Sequence, residues 1–227
     1  MNWQMNIFIL HYQDDETTNA CIASLLPQLG EDYTRRLTVV DDGSPTAYRC
    51  PFSPEDVFNY RLEKNLFMIP AFALAMRTFP AEVYGLLNND LRCNLGMVDT
   101  INDCFDDPDV GIVAPGSSDA GTGILYVPGP GAWGNVETTQ VDNHCMFINH
   151  ALVEDIGYPE VDGHTNLFCW AWNKYYCWQA RQAGYKVIAA RNAYVEHLHR
   201  GGYNAEADKA GQAWLKARLG DRWMEAW

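Results

Sequence analysis

The chain opens on a short apolar run, Asn6 to His11 (NIFILH), and turns abruptly polar at YQDDETT. An apolar run of that length without alternation reads as a strand buried on both faces. The polar residues after it suit a helix cap, and Cys21, Ile22, Leu25, Leu26 and Leu29 continue at helical spacing. RLTVVDDGSP is a second buried strand, stopped by the turn cluster Asp41, Asp42, Gly43, Ser44 and Pro45. DVFNYRL predicts a third strand. IPAFALAMRTF predicts a helix with Pro70 tolerated in its first turn. EVYGLLNND is a fourth strand, LGMVDTINDCF a helix and DVGIVAP a fifth strand. This alternation predicts an α/β fold with a mostly parallel central sheet flanked by helices.

The second half changes character. GSSDAGTGILYVPGPGAWGN is rich in Gly, Pro and Ser and reads as a long loop or a hairpin with loops. NHCMFINHALVEDIGYP gives a strand and a short helix. NLFCWAWNKYYCWQARQAGY gives a helix crowded with aromatics, with Gly184 at its C-cap. KVIAARNAYVEHLHRGG predicts two short strands around a turn, and AEADKAGQAWLKARLG a terminal helix. Neither an internal repeat nor a linker divides the chain.

Composition narrows the function classes. At 227 residues and 48% hydrophobic, one sizeable core can form. The 16 basic residues face 29 acidic ones, a net charge of −13. That is a poor footprint for gripping a nucleic-acid backbone over a broad face, and stable nucleic-acid binding is not expected. The seven cysteines are scattered without a C-x-x-C, which argues for reduced thiols packed as small apolar groups. The N-terminus lacks a basic leader and its apolar run is too short for a bilayer, so the expected location is cytoplasmic, with no membrane span.

In open α/β sheets, ligands bind beyond the carboxyl ends of the strands. Two strands here end in polar clusters, VVDDGS and GLLNND. Asp41 or Asp42 could accept hydrogen bonds from a nucleobase or ribose. Asp90 could ligate Mg²⁺ or Mn²⁺, because hard cations take one or two carboxylates plus phosphate oxygens and water. Taken singly, DDGS is also an ordinary turn and NND also a helix cap; their occurrence on successive strand units is the more telling fact.

With FILHYQDDETTNACIASLLPQ, VVDDGSPT, EKNLFMIPAFALAMRT, YGLLNNDLRCNLGMVDTINDCFDDPDVGIVAP, NHCMFINHALVEDIGYPE and ARQAGYKVIAARNAYVEHLHRGG in this order, the chain resembles the inverting family 2 glycosyltransferases of GT-A fold, especially the rhamnosyltransferase-like branch. The resemblance runs from about Phe8 to Gly202. It implies a single GT-A domain over 1–227, with a nucleotide-sugar half (1–115), a smaller acceptor-side part (116–203) and a C-terminal helix (204–227). It implies transfer of a sugar from a nucleotide-diphosphate donor, a UDP-sugar first, to an acceptor hydroxyl with Mn²⁺ or Mg²⁺. Donor contacts would come from His11, Tyr12, Asp41, Asp42, Asn65, Asn88, Asn89 and Arg200. Metal contacts would come from Asp90, with His199 and then His197. The acceptor would meet Trp172, Asn143 and His144. That acceptor could be a saccharide, a lipid-linked sugar, a protein, a small molecule or a modified DNA base.

The sequence departs from the family in two places. The family's Gly-rich stretch after Asn65 is replaced by LFMIPAF. The family's acidic base, counted back from Ala183-Gly184-Tyr185, falls on Trp172 and Asn173, neither of which can take a proton near neutral pH. Asp162 in EVDGHTN is the expected replacement, with Asp142, His144 and His164 as alternatives. A catalytically impaired nucleotide-sugar-binding module is the rival reading. A sugar nucleotidyltransferase fits less well, because HYQDDETT has no glycine or lysine after the first strand.

Overall fold

The computed structural model describes residues 3–30, 34–117, 134–161, 171–198 and 205–226. Among the described residues fifteen strands and α-helices follow one another, besides 3-10 turns: β1 (Trp3–His11), α1 (Asp15–Leu25), β2 (Arg35–Asp41), β3 (Val57–Arg61), α2 (Met68–Thr78), β4 (Ala81–Asn88), β5 (Leu91–Cys93), α3 (Met97–Cys104), β6 (Val110–Ser117), β7 (Asn135–Glu137), β8 (Cys145–Asn149), α4 (His150–Ile156), α5 (Trp172–Gln182), β9 (Lys186–His197) and α6 (Ala205–Leu219).

All nine strands join one sheet in the order β3-β2-β1-β4-β8-β6-β9-β5, with β7 also on β9. β3, β2, β1 and β4 pair in parallel. β8 runs antiparallel to both β4 and β6, which gives β6 the direction of β4, and β9 is parallel to β6. Among the described strands six therefore point one way, and β5, β7 and β8 are reversed.

Successive side chains of a strand face opposite sides, and the core follows that rule. Ile7 and Ile9 of β1 pack under α1 and α3 with Cys21, Ile22, Leu25, Val98 and Ile101. Phe8 between them packs on the other face with Phe72 and Met76 of α2, Leu152 of α4 and Cys177 of α5. The sheet is thus covered on both faces, which is why its central strands read as unbroken apolar runs. In α5 the aromatics divide by helical spacing: Trp172 and Tyr176 face the sheet, while Tyr175 and Trp178 pack with Trp214 and Leu215 of α6.

Two expectations about elements need correction. KVIAARNAYVEH is one strand, β9, not two. The turn expected at its middle is a register irregularity: Pro115 pairs with Ala190, but Gly116 pairs with Tyr194. The long flanking strand β6 holds both halves in line. The short strand β5 was not anticipated; its three residues gain strand geometry only by pairing with β9. Most of the Gly- and Pro-rich stretch, 118–133, lies outside the described residues. Cys21, Cys50, Cys93, Cys104, Cys145 and Cys177 are free thiols. Among the described residues no helix is long and apolar enough to cross a membrane.

Candidate functional site

The carboxyl ends of β2, β1 and β4 lie side by side: His11 pairs with Asp41, and Leu10 pairs with Asn88. At a strand spacing of about 4.8 Å, the DDGS and NND clusters flank β1 on either side within about 10 Å of each other.

On the β2 side, the two aspartates are tied into the surrounding loops. The Asp41 carboxylate is fully buried and accepts from the backbone N–H of Ser44 (3.0 Å) and of Tyr48 (3.1 Å), and from the Arg61 guanidinium (3.1 Å). Burial pushes this carboxyl up, but the bonds from Ser44 and Tyr48 and the Arg61 charge outweigh it and leave Asp41 below the usual range. Gly43 has φ +67, and a Cβ there would stand 2.2 Å from the Lys64 carbonyl carbon. Only glycine lets the turn press this closely against the loop that leads into α2. Across that contact Asp42 accepts from the Leu66 N–H (2.7 Å), and Asn65 Oδ1 accepts from the Phe67 N–H (2.8 Å). Burial raises the Asp42 carboxyl, opposed by the Leu66 and Phe67 amides. Asp41 and Asp42 thus shape the loops as well as lining the edge.

On the β4 side, the NND turn is clamped by its neighbours. The Asn88 N–H donates to the His144 carbonyl, and the Leu198 N–H to the Asp90 carbonyl, both at 2.9 Å. Asp90 Oδ2 lies 3.1 Å from His197 Nε2. The His197 ring stacks on His144, with centroids 4.9 Å apart and planes at 10°. His144 Nδ1 is in turn 3.7 Å from Asp142 Oδ2. Burial pushes the Asp142 carboxyl up, but the His144 imidazole, the Asn143 amide and His197 together outweigh this and leave it below the usual range.

Thr18 of α1 joins the two sides. Its hydroxyl donates to the Asp14 carbonyl (2.8 Å), so its single proton is committed. Asn89 Nδ2 (3.0 Å) and His11 Nδ1 (2.8 Å) must then both donate to the Thr18 oxygen. This places the His11 proton on Nδ1 and leaves Nε2 as a buried acceptor with no hydrogen-bond partner, 3.4 Å from Asp15 Oδ1. Burial holds the His11 imidazolium below its ordinary range, against the pull of Asp41, Asp15 and Asp14. Thr18 was missed in the sequence because it reads as one more polar residue in the first turn of a helix.

The structure therefore ends β1 in His11, with Asp41, Asp42 and Asn65 on one flank and Asn88, Asn89, Asp90, His144 and His197 on the other. Tyr12, at the tip of β1, is 44% exposed. The Asn143 N–H donates to Asp142 Oδ1 at 3.0 Å. Trp172 does not offer a ring face at the surface as expected: it is 2% exposed and belongs to the core beneath α5. Its neighbour Asn173 is buried and donates to the Val141 carbonyl at 2.6 Å. Both side chains at the expected base positions are thus built into the packing of α5. Asp162, His164, His199 and Arg200 lie outside the described residues.

Among the described residues no group of three or more His, Cys, Asp or Glu side chains forms a metal cage. A cation that also binds a diphosphate needs no such cage. The fit rests on a different feature: Asp90 Oδ1 is buried without any hydrogen-bond partner, while Oδ2 faces His197. An orphaned buried carboxylate oxygen is costly unless something positive meets it, so the donor set suits a hard divalent ion.

Comparison with solved structures decides the architecture. GalNAc-T7, crystallised with UDP, GalNAc and Mn²⁺, superposes with a TM-score of 0.70 over 95% of this chain. The fold is GT-A. The mannosyltransferase PcManGT from Pyrobaculum calidifontis, in complex with GDP-Man and Mn²⁺, superposes with a TM-score of 0.64 over 96% of this chain. Identities are 12% and 16%, so these likenesses carry the fold alone. The chain spans 48% of the GalNAc-T7 chain and 61% of the mannosyltransferase chain. No family model matches the sequence, and no curated relative does.

Proposed function

We propose that this GT-A chain is a metal-dependent, inverting glycosyltransferase that moves a sugar from a nucleotide-diphosphate donor to an acceptor hydroxyl. One observation carries the reading. The NND turn presents Asp90, with one buried carboxylate oxygen unpartnered, beside the edge where β1 and β2 end in His11, Asp41 and Asp42. The two GT-A neighbours bind UDP and GDP-Man, each with Mn²⁺, which supports a UDP- or GDP-sugar as donor and Mn²⁺ or Mg²⁺ as cation.

Each residue then has a role. Asp90 and His197 would hold the cation, and His199 would be a further ligand. When bound, that ion supplies positive charge against the diphosphate leaving group. Asn88 and Asn89 shape the turn and reach the donor. Asp41 braces the β2–β3 loop through Arg61, and Asp42 braces the loop before α2. Tyr12 and His11 close the nucleotide end, and Arg200 meets phosphate oxygens. Asn143 and His144 face the acceptor. The proton acceptor is Asp162, with the Asp142–His144 pair as the alternative on the described edge.

A second reading has its own observation. Trp172 and Asn173 are both buried at the positions where the resemblance places the base, as they would be in a module that binds nucleotide-sugar without transfer.

Thermal shifts with UDP, GDP, UDP-glucose, UDP-galactose and dTDP-rhamnose, each with and without Mn²⁺, test the pocket. A shift that requires Mn²⁺ and disappears in Asp90→Asn supports it. Equal shifts in wild type and Asp90→Asn remove Asp90 from the site. Donor hydrolysis or transfer, lost in Asp162→Asn, supports the enzyme. Donor binding without turnover against any acceptor supports the module.

A further inference from the structure

Phe67 occupies a backbone conformation made for glycine. Its φ is 65° and its ψ 167°. That region is open almost only to glycine, and a side chain there costs about 1–3 kcal/mol. Gln13, at φ 66°, is the one other described non-glycine residue with positive φ.

Packing does not explain the phenylalanine. Leu66 and Met68 on either side pack against the core, whereas Phe67 is 48% exposed. Helix capping does not explain it either: Phe67 is the N-cap of α2 and makes no side-chain cap bond. Its backbone is instead held in place from outside. Asn65 Oδ1 accepts the Phe67 N–H, Asp42 holds the Leu66 N–H, and the Phe67 carbonyl accepts from Ala71.

The position within the edge is informative. Asp42 is bonded on two sides: its N–H donates to the His11 carbonyl (3.0 Å), and its carboxylate holds Leu66 (2.7 Å). The residues that follow these two partners are Tyr12 and Phe67. Both are aromatic, and both are exposed, at 44% and 48%. Asp42 thus anchors two chain segments, one through its backbone N–H and one through its carboxylate, and from each an exposed ring emerges at the carboxyl edge of the sheet. Strain of this kind persists where the surroundings over-determine it, and it collects at ligand sites.

We propose that Phe67 is a donor-binding residue, its ring forming an aromatic face for the planar base of a nucleoside diphosphate. The inference rests on the glycosyltransferase reading and goes beyond it by naming what a phenylalanine does at a position of positive φ. Base–aromatic stacking tolerates any base. The ring therefore adds affinity for uridine and guanosine diphosphates alike, and the hydrogen-bonding edge is read elsewhere.

The test exploits opposite signs. Phe67→Gly removes the strain and the ring together; Phe67→Ala removes the ring and keeps the strained backbone. Purified full-length protein is titrated with UDP and with GDP, each with Mn²⁺, by calorimetry, and its melting temperature is measured without nucleotide. Phe67→Gly is expected to melt about 2–8 °C higher, after the unfolded-state entropy of glycine is offset. Both variants are expected to bind the nucleotide that wild type binds about 5- to 150-fold more weakly. Unchanged affinity in either variant overturns the assignment of the ring, and a lower melting temperature in Phe67→Gly overturns the strain on which it stands. A wild-type chain that binds neither nucleotide removes the donor site itself and this inference with it, whereas binding that both variants retain removes this inference alone.

Discussion

Replacing Thr18 by Val tests whether the two flanks of the site are joined as the geometry says. Valine matches threonine in shape and is close to it in helix propensity, so the change removes a hydroxyl and little else. Three hydrogen bonds disappear: those from His11 (2.8 Å) and Asn89 (3.0 Å), and the one to the Asp14 carbonyl (2.8 Å). His11 is fully buried, and leaving its N–H unpaired costs about 1–3 kcal/mol. Asn89 and the Asp14 carbonyl are less enclosed and can turn to water, so each adds at most about 1 kcal/mol. The expected loss is about 2–4 kcal/mol, a large part of the stability of a domain this size. Urea unfolding should show a lower midpoint at unchanged slope. Thr18→Ser, which keeps the oxygen, should recover most of the loss. Mn²⁺-dependent nucleotide binding should fall in the valine variant, because Asn89 loses the partner that orients it. A valine variant within about 0.5 kcal/mol of wild type, with nucleotide binding intact, would show that Thr18 does not hold the site together.

Gly43→Ala should be more damaging than most surface changes: the new Cβ meets backbone atoms at 2.2–2.6 Å at a φ of +67, so the turn or the Lys64–Asn65 loop must move, at a cost of about 2–4 kcal/mol that a denaturant melt would register. Arg61→Met should raise the pH at which acid begins to unfold the protein. The folded-state Asp41 carboxyl is depressed, so its contribution is present above the unfolded value and is lost as pH falls through the folded one; removing Arg61 raises the folded value and starts that loss earlier, as circular dichroism against pH would show. Glu225, held down to about 2 by Arg222 and Trp178, should keep the chain end docked above the ordinary carboxylate range and release it as pH falls toward 2, seen as a rise in exposure of Trp178 by fluorescence; no change between pH 5 and 2 would exclude the link. Gly85→Ala should disturb the core, since its Cβ would lie 2.8 Å from the Phe147 ring; a stability loss of about 1–3 kcal/mol is expected, and an unchanged melting curve would refute the close packing.

Much of this protein is written in local sequence. Unbroken apolar runs such as NIFILH and LTVV specify strands covered on both faces, because such a run has no side left for water. Helical spacing in α1, α2 and α3, and the polar stops at Asp41–Pro45 and Asn88–Asp90, fix where elements begin and end. The edge on which the chemistry is proposed follows from strand direction alone. Other features depend on what lies across the sheet. β5 exists only because β9 runs beside it, and β9 is one strand rather than two because β6 holds both its halves in register. Trp172 looks like a ring on offer until α5 turns it inward. Thr18 becomes central only when folding brings His11 and Asn89, seven and 71 residues away, to the same oxygen. Periodicity records which side of an element is apolar; which distant partner meets that side is set by packing and by the pairing of buried polar groups, and those are decided in three dimensions.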